Sequence, residues 1–98
     1  MLVREKLPNG WVRVTFRLSD SIWAESIAVV GEFNDWNPHT HLLSQSHGDP
    51  SWHITVDMEL SHSYHFRYLV NGEQWMDDDR ADCYEPNEFG GFDCVVQT

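Results

Sequence analysis

No apolar run in these 98 residues approaches the ~20 needed to cross a bilayer as a helix. The start, MLVREKLPNG, reaches Arg4, Glu5 and Lys6 after only Leu2 and Val3, so it lacks the apolar centre of a secretory leader. The expectation is a cytoplasmic protein. Positive charge is equally scarce: six basic residues face sixteen acidic ones, a formal net charge of -10, which disfavours nucleic acid and anionic membrane as partners. There are two cysteines, Cys83 and Cys94, too few for a disulfide-stapled scaffold and without metal-type spacing, so both are expected as free thiols. Helical periodicity, internal repeats, linkers, a phosphate-cradling glycine loop and a nucleophile elbow are all missing.

Aromatic residues, in contrast, abound. Five Trp, five Phe and three Tyr exceed what one modest core requires, so some rings are expected to face water. Strict alternation in WVRVTFRL puts Val12, Val14, Phe16 and Leu18 on one strand face. SIAVVGEF is a β-branched run in which Gly31 marks a bend or a close backbone approach. WHITVDM turns Trp52, Ile54, Val56 and Met58 inward, and SYHFRYLV does the same with Tyr64, Phe66, Tyr68 and Val70, leaving Arg67 outward. Asn71-Gly72 predicts a tight hairpin with positive φ at both residues and Gln74–Met76 paired back. Residues 77–91 read as a long loop before a last strand, FDCVVQT. About seven short strands predict an all-β antiparallel sandwich, one domain over 1–98.

Three blocks, VVGEFNDWNP, YHFRYLVNGEQWMDDD and PNEFGGFDCVV, resemble carbohydrate-binding module family 48, which includes the glycogen-binding domain of AMP-activated kinase β subunits and the early-set domains of isoamylases and branching enzymes. The resemblance spans roughly 13–97 and implies an immunoglobulin-like early-set sandwich that binds α-glucan. It carries over to Trp36 and Trp75 as stacking platforms, Arg67 as a contact to sugar hydroxyls, Phe89 as an apolar side chain inserted against the sugar, and Asp93 where glycogen-binding members tend to have Asn. Gly91 stands where some have Thr, a second departure.

Physical chemistry reaches a compatible reading independently. A glucose ring offers an apolar C–H face and a rim of hydroxyls, so its binder wants flat aromatic platforms and a few fixed polar groups. Trp36 and Trp75 lie in polar, turn-rich segments, and the planar fork of Arg67 can bridge adjacent hydroxyls. Asn34, Asn37 and Asn87 are further hydrogen-bonding candidates.

Blander readings compete at each position. Trp36 can fold back to cap the sandwich, and Arg67 can be a solvated residue paired with an acid. Trp52 is expected in the core, with Trp11 and Trp23 undecided. His39, His41, His53, His62 and His65 lack the partners of a metal site, and Asp77, Asp78 and Asp79 lack the spacing of a calcium loop, so a solvated charge run is the expectation there. No cofactor, metal or catalytic residue is expected. A glycosidase would need a barrel of ~250 residues to carry its paired carboxylates. Two functions stay open: a free-standing module that binds glycogen, starch or maltooligosaccharides without catalysis, and an interaction domain that docks on a glycogen-metabolising enzyme.

Overall fold

The computed structural model describes residues 2–98. Nine strands occur among them: β1 (Leu2–Lys6), β2 (Trp11–Leu18), β3 (Ile27–Gly31), β4 (Ser44–Ser46), β5 (Asp49–Glu59), β6 (Ser63–Val70), β7 (Gln74–Met76), β8 (Cys83–Pro86) and β9 (Phe92–Gln97). One antiparallel sheet runs β1-β2-β5-β4, and the other runs β3-β6-β9-β8 with β7 also paired to β6. The fold is an all-β antiparallel sandwich of the immunoglobulin-like early-set type.

Alternation explains the first sheet. Val12, Val14, Phe16 and Leu18 of β2 stand opposite Met58, Val56, Ile54 and Trp52 of β5. These side chains meet Ile27, Val29, Phe66, Tyr68, Val70, Cys94 and Val96 from the second sheet in one shared core. Phe16 lies at its centre, with ring centroids 5.1 Å from Phe66 and 6.5 Å from Tyr68.

The run of β3 does not alternate because both faces are covered. Ile27 and Val29 point into the core, while Ala28 and Val30 form a second buried cluster with Leu69 on the outer side. Gly31 ends the strand where a side chain has no room: a Cβ would lie 2.5 Å from the His65 carbonyl oxygen and 2.8 Å from Phe66 Cβ. The close approach expected of Gly31 is therefore real, and its cause is steric, since its φ of -167° is ordinary extended backbone.

After the following loop the chain changes sheets. Leu42 bridges Ala28, the Val29 N–H donates to the His41 carbonyl at 3.0 Å, and the Leu43 N–H donates to the Ile27 carbonyl at 2.8 Å. Ser44 then joins the other sheet opposite His53. Residues 41–43 thus shield the free edge of β3.

Two expectations need correcting. The 77–91 stretch is not one loop, since Cys83–Pro86 pairs along β9. Asp78, in the expected solvated run, is 0% exposed. Its Oδ2 accepts from the Tyr68 hydroxyl at 2.8 Å, its Oδ1 accepts from the Arg80 N–H at 2.8 Å, and its own N–H donates to Cys94 Sγ at 3.2 Å. A carboxylate loses its water only where such donors replace it. Cys83 and Cys94 are both free: Cys83 stands opposite Val95, one place out of phase with Cys94, so the two side chains leave opposite faces.

Candidate functional site

The outer face of the second sheet carries three of the candidates, Arg67, Trp75 and Asp93, while Trp36 and Phe89 lie in loops. Val30, Arg67 and Leu69 project from that face, because Val30 pairs with Arg67 and Ala28 with Leu69. Trp75 joins them through its pairing with Leu69. The Asn71-Gly72 hairpin puts it there: φ is 55° at Asn71 and 70° at Gly72, and the Glu73 N–H donates to the Val70 carbonyl at 3.1 Å. Trp75 is 49% exposed, with the Arg67 guanidinium 5.7 Å from its ring centroid. Arg67 Nε also donates to Asp77 at 3.0 Å, so the arginine is paired with an acid while its guanidinium lies over the Trp75 ring.

Trp36 enters from the neighbouring strand. A 3-10 turn, Glu32–Asn34, follows Gly31, and both Asp35 and Trp36 then take left-handed backbone at φ 56° and 57°. For a bulky residue this conformation costs about 1–3 kcal/mol and persists only where the surroundings enforce it. Asn34 does the enforcing. Its Oδ1 accepts from the Gly31 N–H at 3.1 Å, and its Nδ2 donates to the Val29 carbonyl at 3.0 Å and to His41 Nδ1 at 2.9 Å. The Trp36 N–H closes the turn on the Gly31 carbonyl at 2.8 Å. Trp36 is left 40% exposed rather than folded under the sandwich. Its anchor, Gly31, ends β3, and β3 and the Trp75-bearing β7 both pair with β6.

Phe89 crowns the β8–β9 hairpin at 88% exposure. Asn87 shapes that tip, its Oδ1 accepting from the N–H groups of Phe89 at 3.0 Å and Gly91 at 3.1 Å. Its Nδ2 donates to Asp93 Oδ1 at 3.1 Å. The other oxygen of buried Asp93 faces His65 Nδ1 at 3.1 Å, while His65 Nε2 faces Glu85 Oε2 at 2.8 Å. Asp93 therefore lies beneath the loop, with both oxygens engaged. Asn34 and Asn87 are likewise committed to backbone and neighbours, and Asn37 accepts from the His39 N–H at 2.8 Å.

Sequence reasoning missed this His65 network. The i, i+2 spacing of His65 and Arg67 marks their shared strand face but not the carboxylates that β8 and β9 bring to His65. With a carboxylate at each ring nitrogen, both nitrogens can donate only as the imidazolium. Burial pulls the His65 pKa down, but the hydrogen bonds to Asp93 and Glu85 and the charge of Glu32 outweigh it and raise the value. Among the described residues no group of three or more His, Cys, Asp or Glu is placed to hold a metal ion, and no helix is long and apolar enough to cross a membrane.

A half-exposed indole and an arginine share one face of the second sheet, and a second indole is exposed in the loop after β3, groups suited to ligands with apolar faces and hydroxyl rims. Residues 5–85 match carbohydrate-binding module 48, the isoamylase N-terminal domain, and the chain belongs to that family. The matched stretch contains Trp36, Arg67 and Trp75 and stops before Phe89 and Asp93. No curated protein matches the chain.

Proposed function

We propose that this domain binds α-1,4-linked glucan, as glycogen, starch or maltooligosaccharide, without catalysing its conversion. Trp36 and Trp75 stack on successive glucose units, Arg67 donates to hydroxyls between them, and Phe89 closes against the sugar from the β8–β9 tip. Asp93 acts from below, holding Asn87 and so the loop that presents Phe89. The observations that carry this reading are the strained, Asn34-enforced exposure of Trp36 and the Arg67–Trp75 pair on the outer sheet face: backbone strain kept at an exposed ring marks a binding position. The free thiols at Cys83 and Cys94 fit a reducing, cytoplasmic setting.

A second reading has its own observation. Val3 and Trp11 are exposed on the outer face of the β1-β2-β5-β4 sheet, and a glycogen-metabolising enzyme docked there would need no sugar. Calorimetric titration with maltoheptaose separates the two. Saturable binding that Trp36→Ala and Trp75→Ala each abolish, with unfolding midpoints near wild type, supports the glucan site. Absence of heat at millimolar sugar overturns it and turns attention to the Val3–Trp11 face.

A further inference from the structure

Trp23 is 98% exposed, the extreme for a large apolar side chain in this molecule. Yet the loop carrying it is tethered on both sides. Ile22 packs against the core, and its carbonyl accepts from the Trp52 indole Nε1–H at 3.1 Å. Two residues beyond Trp23, the N–H groups of Glu25 and Ser26 both donate to Asn71 Oδ1, at 2.7 and 3.2 Å. The ring thus stands in water on a backbone pinned a residue before it and two after it.

Between this loop and the unpaired edge of β7 lies a groove of about 480 Å3, lined by Ile22, Trp23, Val70, Gln74, Trp75 and Met76. Its volume falls within the range of small-ligand sites. None of those side chains is charged, which selects a neutral occupant. Trp23 and Trp75 line it together with the apolar Ile22, Val70 and Met76, and Gln74 supplies an amide that both donates and accepts. Trp75 lines this groove and also stands on the outer sheet face with Arg67, so one indole borders both. Ile22 and Met76 also line an adjoining cavity of about 510 Å3 whose rim bears Asp77, Asp79 and Arg80, groups suited to sugar hydroxyls.

We propose that Trp23 is a third sugar platform, and that the β7-edge groove takes the units of a longer glucan chain running past Trp75. This rests on the glucan reading above. It makes the domain selective for chain length: a short oligosaccharide fills the Trp36–Trp75 face alone, and a longer one gains the Trp23 contact.

The test is calorimetric titration of maltotriose and maltoheptaose into wild type, Trp23→Ala and Trp75→Ala. Because Trp23 is almost wholly in solvent, its removal leaves the fold intact. The expected result is that Trp23→Ala weakens maltoheptaose roughly two- to tenfold, the scale of one aromatic contact, and leaves maltotriose unchanged. Trp75→Ala should weaken both. Wild-type affinity of Trp23→Ala for both sugars, alongside loss in Trp75→Ala, overturns the third platform and leaves the glucan site standing. An equal loss for both sugars in Trp23→Ala overturns the extension by placing Trp23 in the primary site. Failure of wild type to bind maltoheptaose overturns both proposals together.

Discussion

Asn34 carries the local argument at the site. It satisfies Gly31 and Val29 backbone groups and donates to His41 Nδ1, which fixes His41 as the neutral tautomer protonated on Nε2. Asn34→Ala leaves those partners unmet, at a cost of roughly 1–3 kcal/mol in urea denaturation, and frees Trp36 to leave its left-handed backbone. The expected accompaniment is weaker glucan binding; unchanged stability would contradict the hub. His65 gives a pH signature. Its folded pKa is raised above 6.5, so its contribution to stability is complete below that value and is lost as pH rises through the folded pKa. His41 has the opposite sign, since burial lowers its pKa and it disfavours folding when charged. Comparing wild type with His65→Gln from pH 6 to 8 isolates His65: wild type should lose the more stability as pH rises, and parallel curves would refute its charged pairing. At this scale Trp36 and Trp75 were legible as exposed rings and Arg67 as an outward-facing strand residue. The Asp93–His65–Glu85 network was not, because it joins three strands whose register no local pattern reveals.

Alternation made elements legible wherever one face meets the core and the other meets water, as in β2 and β5. It failed where that contrast is absent. Among the described residues, β1 is intermediate or exposed at every position, β4 is wholly exposed, and β8 is exposed at three of its four positions, so none of these carries a hydrophobic stripe. They exist because a neighbouring strand offers them a ladder of hydrogen bonds. Gly31 is the element-scale test. Gly31→Ala drives a methyl into the His65 carbonyl and Phe66 Cβ, and neither can yield without separating β3 from β6. The expected loss is about 1–3 kcal/mol, read as a lower urea midpoint. A neutral result would mean that the two strands are not in such close contact. The same close approach sets where the 3-10 turn begins, and so where Trp36 emerges.

The whole molecule carries a net charge of -10, whereas the groove between Trp23 and Trp75 is lined by uncharged side chains. An anionic ligand would be repelled and a cationic one attracted over the entire surface, but a neutral polysaccharide is indifferent to that field. Affinity for maltoheptaose should therefore be nearly the same at 50 mM and 500 mM salt, whereas a charged partner would show a steep dependence in the same titration. The sandwich itself was legible because strand count, turn signals and the three family-like blocks agree. What binds to it depends on how its loops converge, which requires the register.

The most direct measurement follows the five indole N–H signals by two-dimensional NMR as maltoheptaose is added, with each assigned by single Trp→Phe substitution. Trp52 is buried with its indole on the Ile22 carbonyl, and Trp11 stands on the opposite sheet, so these two serve as internal controls. The account predicts saturable shifts of Trp36 and Trp75 together while Trp11 and Trp52 stay in place. Five stationary signals, or movement confined to Trp11, would contradict it.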